Sequence, residues 1–136
     1  MKKVLTVGVF DMLHIGHILL FQHAKEIVGD DCYLTVAVQD GDYILKYKPN
    51  TRMICTTEER LYMVRSIRYV DEVCTYRDID IDIQNIEFDV FAKGPDQNHA
   101  GFQRAVEWCK MHGKEVVVIP RTEGISSTML REYCKL

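Results

Sequence analysis

Short β-branched runs alternate along the chain with stretches of helical periodicity, and this alternation limits the fold more than any other feature. Val4–Phe10 (VLTVGVF) reads as a buried strand. Over His14–Val28 the residues Leu20, Ala24 and Ile27 recur at i, i+4 and i+7, which predicts a helix stopped by Gly29 and Asp30. Tyr33–Val38 reads as the second strand, followed by a long polar loop from Gln39 to Thr56. Thr56-x-x-Glu59 is a capping box, and it opens a helix with Leu61, Val64 and Ile67 on one face. Glu72–Tyr76 reads as the third strand, a weaker helical stretch lies near Asp80–Ile86, and Asp89–Lys93 reads as the fourth strand, closed by Gly94-Pro95. Residues 98–112 form an amphipathic pattern with Phe102, Ala105, Val106 and Cys109 inward, ended by Gly113. Glu115–Ile119 is the fifth strand, broken by Pro120, and a last helix is expected over Ser127–Cys134.

Strands alternating with helices predict a parallel sheet with right-handed crossovers and helices on both faces. The expected fold is α/β, a small doubly wound (Rossmann-like) five-stranded sheet within one domain over residues 1–136. In such sheets ligands bind beyond the carboxyl ends of the strands, where the strand order reverses. With the common order 3-2-1-4-5, the loops after strands one, four and five face that reversal.

Charge and cysteine usage exclude several functions. With 17 Lys+Arg against 20 Asp+Glu, the net charge of -3 lacks the basic footprint of sequence-blind nucleic-acid binding. Runs such as Val116–Ile119 are far too short to span a membrane. Met1-Lys2-Lys3 and the apolar run behind it are interrupted by Asp11 and His14, with no small-residue cleavage site, so a strand is expected there rather than an export signal. The 5 cysteines include no C-x-x-C pair, which argues against a zinc knuckle and for free thiols in the cytoplasm, Cys109 being a small core residue.

Two loops carry the unusual residues. The first, Gly8–His17, reads GVFDMLHIGH. His14 and His17 stand at i and i+3 at the start of a helix and so share a face. The N–H groups of a helix N-terminus suit a polyphosphate, and Gly16 allows close approach of a ligand. Imidazoles there could donate hydrogen bonds to charge building on a phosphorus atom. Blander readings make the histidines a helix cap and a satisfied surface residue, or join them to Asp11 as a metal site. The whole ten-residue arrangement favours the phosphate site. The second loop, Pro120–Thr128, supplies an arginine, a glycine turn and three consecutive hydroxyls ahead of a helix. Alone it would be an ordinary loop with an N-cap. Beside the histidine motif it reads as a second phosphate-binding end.

The pair GVFDMLHIGH and RTEGISST resembles the cytidylyltransferase-like family of the HxGH nucleotidyltransferase superfamily. Over nearly the whole chain, including Arg68–Val73 and Asp89-Val90-Phe91, the sequence is similar to the bacterial glycerol-3-phosphate cytidylyltransferases. The resemblance implies transfer of CMP from CTP to an alcohol phosphate, foremost sn-glycerol 3-phosphate to give CDP-glycerol, with release of pyrophosphate. It implies Mg2+ held mainly by the triphosphate, with no metal site on the protein, and a cytoplasmic homodimer serving cell-envelope biosynthesis. Neither a nucleic acid nor a membrane is an expected partner. By position, His14, His17, Lys46 and Arg121 would be catalytic. Val9, Phe10, Gly16, Asp96, Arg121, Thr122, Ile125, Ser126, Ser127 and Thr128 would bind the nucleotide. Asp11, Asp40, Lys46, Lys48, Arg60, Arg68 and Asp71 would bind the acceptor. Solvated loop charges for Lys46 and Lys48, and a structural ion pair for Arg68 and Asp71, are the competing readings.

Such a reaction needs no general base, because the acceptor phosphate is already an anionic nucleophile. The site must align two anions and offset their charge. Three departures from the family pattern stand out: the longer segment Gln39–Thr56 with Pro49-Asn50-Thr51, the less acidic stretch Gly94–His99, and an I-S-S-T-x-x-R ending shared with adenylyltransferases. The last keeps open an ATP-using adenylyltransferase acting on a sugar phosphate or cofactor precursor. His14-Ile15-Gly16-His17 also matches the HIGH signature of class I aminoacyl-tRNA synthetases, but no K-M-S-K-S segment accompanies it. A non-catalytic nucleotide sensor is the reading from outside the enzymes.

Overall fold

The computed structural model describes residues 1–29, 31–122, 124 and 127–133. Five parallel strands, β1 (Lys2–Gly8), β2 (Cys32–Gln39), β3 (Glu72–Tyr76), β4 (Val90–Lys93) and β5 (Glu115–Val118), lie in the order β3-β2-β1-β4-β5. The expected order, with its reversal between β1 and β4, is the observed one. The helices are α1 (Ile15–Val28), α2 (Gly41–Tyr47), α3 (Thr57–Arg65), α4 (Ile79–Asp82, continued by a 3-10 turn over Ile83–Asn85), α5 (Ala100–Met111) and α6 (Ser127–Tyr133). No helix among the described residues is long and apolar enough to cross a membrane.

Because successive strand residues point to opposite faces, the sheet builds two cores. Val4, Leu34 and Val36 pack on one face with Phe21 and Ala24 of α1 and Val64 of α3. Leu5, Val7, Ala37 and Phe91 pack on the other with Phe102, Ala105 and Cys109 of α5. Cys109 is a core residue, as its helical spacing suggested, and burial pushes its thiol up to about 11. Cys32, Cys55 and Cys74 are also free thiols.

Two expectations about elements need correction. β1 ends at Gly8 rather than Phe10, because Phe10 leaves the strand in the left-handed region at φ 55°. The polar loop expected over Gln39–Thr56 contains α2. Asp40 is its N-cap and accepts a hydrogen bond from the Asp42 N–H at 3.0 Å, while Gly41 and Ile44 are buried. Seven residues are too few for an apolar period to stand out. The Thr56/Glu59 capping box forms as read, with both reciprocal bonds present.

The carboxyl ends of β1 and β2 are tied together by a side chain expected at the acceptor site. Arg60 of α3 is fully buried. Its Nη1 donates to the Val9 carbonyl at 2.8 Å and to the Gln39 carbonyl at 2.7 Å, and its Nη2 donates to Thr57 Oγ1 at 3.1 Å. Burial lowers its pKa, an effect that Asp11 and Asp40 oppose. Gly41 packs tightly beside it, since a Cβ there would stand 3.0 Å from Nη2 and 3.1 Å from Thr57 Oγ1. A lysine cannot reproduce the planar fork. Arg60→Lys should therefore lose about 2–4 kcal/mol of stability, leaving buried carbonyls unpaired. Urea unfolding measures this, and a curve superimposable on wild type would rule out the clamp.

Candidate active site

The sequence that places two imidazoles at the head of α1 also dictates their chemistry. His14 is the N-cap, and its Nδ1 accepts a hydrogen bond from the Gly16 N–H at 3.0 Å. His17 Nδ1 accepts in turn from the His14 N–H at 3.2 Å. The rings stack at 3.9 Å between centroids. With both Nδ1 atoms used as acceptors, each neutral ring must carry its proton on Nε2. Burial and then the neighbouring His14 push His17 down to about 4, and burial with the Arg121 charge lowers His14 as well. The ligand-free site therefore holds two neutral Nε2–H donors rather than imidazolium ions. The expectation of free backbone N–H groups at this helix end is modified. The Gly16 N–H is taken by His14 Nδ1, and the His17 and Ile18 N–H groups bond to the His14 carbonyl.

Phe10 sets the angle of this pair. Among the described residues it alone combines a side chain with a positive φ, a conformation that costs energy and persists where packing demands it. Its ring meets His17 and Phe21 edge to face, each at 5.3 Å. It also lies over Gly8, where a Cβ would meet the ring at 2.8 Å.

These groups open into one cleft of about 870 Å³ beyond the carboxyl ends of the strands, a volume typical of small-molecule sites. Val9, Phe10, Asp11, His14, Gly16 and His17 line its centre. Asp96, Arg121, Thr122 and Thr128 line the side under the loops after β4 and β5. Imidazoles from near the start of the chain and the guanidinium from near its end thus share one cleft. Arg121 Nη1 donates to Asp96 at 2.8 Å, an exposed pair. Ile125 and Ser126 lie outside the described residues, as does the side chain of Ser127.

Most of the expected acceptor residues have partners within the protein. Asp11 lines the cleft, but its carboxylate accepts from the Ile54 N–H at 2.9 Å and the Cys55 N–H at 2.8 Å, which holds the segment before α3 against β1. Arg60 is the buried clamp described above. Asp71 is not on the cleft: it accepts from Lys25 Nζ and from the Leu34 N–H, each at 2.8 Å, at the amino-terminal end of the sheet. Arg68 stacks over Tyr69 at 5.2 Å instead of pairing with Asp71. Asp40 caps α2 and faces Arg77 at 3.6 Å. Lys46 is exposed and off the cleft wall, while Lys48 lines it. The reason is α2: Tyr43 and Tyr47, one turn apart, take the inward face, which turns Lys46 aside.

Other cleft residues carried no recognisable signal. Gln97 joins the loop after β4 to the end of β1, donating from Nε2 to the Val7 carbonyl at 2.8 Å and accepting from the Gly94 N–H at 3.1 Å. Tyr43, Tyr47 and Met53 form an apolar wall on the α2 side. Only the Asp40-x-Asp42 start of α2 hinted at it. The Tyr43 hydroxyl is buried, and hydrogen bonding towards Asp78 and then Tyr47, though outside good geometry, raises its pKa.

Fold and site together define a nucleotidyltransferase, and the comparisons with known proteins agree. Residues 5–133 match the cytidylyltransferase-like family, and the chain belongs to it. A glycerol-3-phosphate cytidylyltransferase of Bacillus subtilis is 39% identical over 97% of this chain and 96% of its own length. An FAD synthase of Thermococcus kodakarensis is 35% identical over 98% of this chain and 95% of its own. In fold, the chain is similar to a lipopolysaccharide core biosynthesis protein from Thermoplasma volcanium, with TM-score 0.68 and 24% identity over 90% of this chain and 97% of that one.

The depressed pKa of His17 makes stability depend on pH. Between about 4 and the ordinary 6.5, the unfolded chain binds a proton at this ring that the folded chain does not. Its contribution is complete above pH 6.5 and is lost as the pH falls towards 4. In His17→Asn, whose amide oxygen can replace Nδ1 as acceptor, melting temperature should fall less steeply across that window than in wild type. Parallel slopes in the two proteins would contradict the assignment.

Proposed function

We propose that the protein transfers CMP from CTP to the phosphate of a small alcohol phosphate, with glycerol 3-phosphate the first acceptor to test. The observation that carries this reading is the convergence of two Nε2–H donors and Arg121 on one cleft at the strand-order reversal. An acceptor phosphate oxygen attacks the α-phosphorus, the bond from that phosphorus to the bridging oxygen breaks, and pyrophosphate leaves with the electron pair. The imidazole N–H groups would donate to the α-phosphate oxygens as charge redistributes, and the bound anion would raise the ring pKa values. Arg121, released from Asp96, and Thr122 and Thr128 would hold the β- and γ-phosphates, with Lys48 the cation on the acceptor side. The choice of CTP and glycerol 3-phosphate is supported by the Bacillus subtilis relative.

Mg2+ would be carried in by the triphosphate. Among the described residues no group of three or more His, Cys, Asp or Glu is arranged to hold a metal, and the Asp11 carboxylate already accepts two amide bonds. This suits an ion that keeps its waters and binds through substrate phosphates, where it offsets their charge.

The second reading, adenylyl transfer from ATP to a phosphorylated cofactor precursor, is favoured by the FAD synthases among the relatives. Pyrophosphate release with glycerol 3-phosphate, measured side by side with CTP and ATP, should show turnover with CTP. A clear preference for ATP would replace the first reading by the second. In the same assay His17→Asn should lower kcat by about 100- to 1,000-fold, the usual cost of losing one oriented donor to developing charge (~3–4 kcal/mol). Turnover near wild type would remove His17 from the chemistry.

A further inference from the structure

We propose that the acceptor side of the cleft takes the phosphate ester of a polyhydroxylated chain longer than glycerol, its distal hydroxyls held by Asp78, Gln39 and His99. This rests on the phosphate-acceptor reading above and narrows it. A second cavity of about 250 Å³ shares Gln39, Asp78 and His99 with the main cleft, and the acceptor side continues into it past the end of β3. At this junction donors and acceptors alternate. Gln39 Nε2 donates to the Arg77 carbonyl at 3.1 Å, which leaves its Oε1 as an acceptor. His99 Nδ1 accepts from the Gly101 N–H at 3.1 Å, which leaves Nε2–H as a donor when the ring is neutral. Asp78 is the N-cap of α4, yet its side chain makes no capping bond. The Tyr43 hydroxyl beside it is buried, within reach of Asp78 and Tyr47 but outside good hydrogen-bond geometry.

Charge narrows the ligand further. The two arginines of the second cavity already face carboxylates, Arg104 with Asp80 at 2.8 Å and Arg77 with Asp40 at 3.6 Å. A second phosphate would have to draw Arg104 or Arg77 out of its pair, and Asp78 would repel it. An ammonium group would use the carboxylate but would leave the His99 donor unmatched. A hydroxyl both donates and accepts, so a run of hydroxyls can satisfy all of these groups at once. The carbon face of such a chain also has a surface to lie on, since Tyr43 and Tyr47 stand one turn apart with ring centroids 4.7 Å from each other. Glycerol 3-phosphate has only two hydroxyls and would leave the second cavity to water.

The test is a set of initial rates of pyrophosphate release by the full chain with glycerol 3-phosphate, ribitol 5-phosphate and phosphoethanolamine, each with CTP and, in parallel, with ATP. The expected result is a kcat/KM for the five-carbon polyol phosphate at least tenfold above that for glycerol 3-phosphate. Asp78→Asn and Tyr43→Phe should each shrink that ratio at least fivefold, chiefly through KM for the longer acceptor. Equal or reversed preference, a ratio unmoved by both variants, or preference for the amino alcohol would overturn the proposal. Turnover with ATP alone would displace CTP from the proposed function while the order of acceptors still decides this inference. Absence of turnover with every pair would sink both.

Discussion

Two side-chain-to-backbone hydrogen bonds at the head of α1 govern the site. His14 Nδ1 caps the Gly16 N–H, and His17 Nδ1 reaches back to the His14 N–H. An imidazole has two nitrogens, and committing Nδ1 to the helix leaves Nε2–H to the cleft. Tautomer and ring orientation are therefore settled by the same bonds that start the helix. Burial, with His14 beside His17 and Arg121 beside His14, lowers the pKa of both rings and favours their neutral form. The stabilising power of such donors comes from being in place beforehand, so that little reorganisation accompanies the reaction.

The cleft around them is braced by polar side chains bonded to backbone groups. Arg60 spans the ends of β1 and β2 through the Val9 and Gln39 carbonyls, and Asp11 pins Ile54 and Cys55. Gln97 does the equivalent on the other side by binding the Val7 carbonyl. Strand ends at a topological switch point expose carbonyls that no neighbouring strand satisfies, and a ligand cleft needs them satisfied without being filled. Charged and amide side chains of the right reach meet both demands. Arg60 and Asp11, which match functional positions by sequence, make such bonds here.

Much of the fold was legible because its signals are local and repeated. Alternating apolar runs located all five strands, and the Thr56/Glu59 capping box located α3. The doubly wound order followed from general rules of connection. What escaped was short or non-local. α2 has seven residues and announces itself only through its Asp40 cap, so the sequence alone places Lys46 on a loop, whereas helical periodicity turns it from the cleft. Asp71 looks like a ligand residue in a row of letters, whereas its partners are Lys25 and the backbone of Leu34, 46 and 37 positions away.

The sequence by itself determined the class of fold, the position of the reversal and the identity of the histidine and arginine motifs, because periodicity and motif spacing act over a few residues. The tertiary structure alone decided which charges face the cleft and which lie beneath it, and how Gln39, Asp78 and His99 come to share a junction. Those outcomes depend on where three separate strand ends and two helix starts meet in space. No local pattern encodes that meeting, since it is set by the packing of two cores on opposite faces of one sheet.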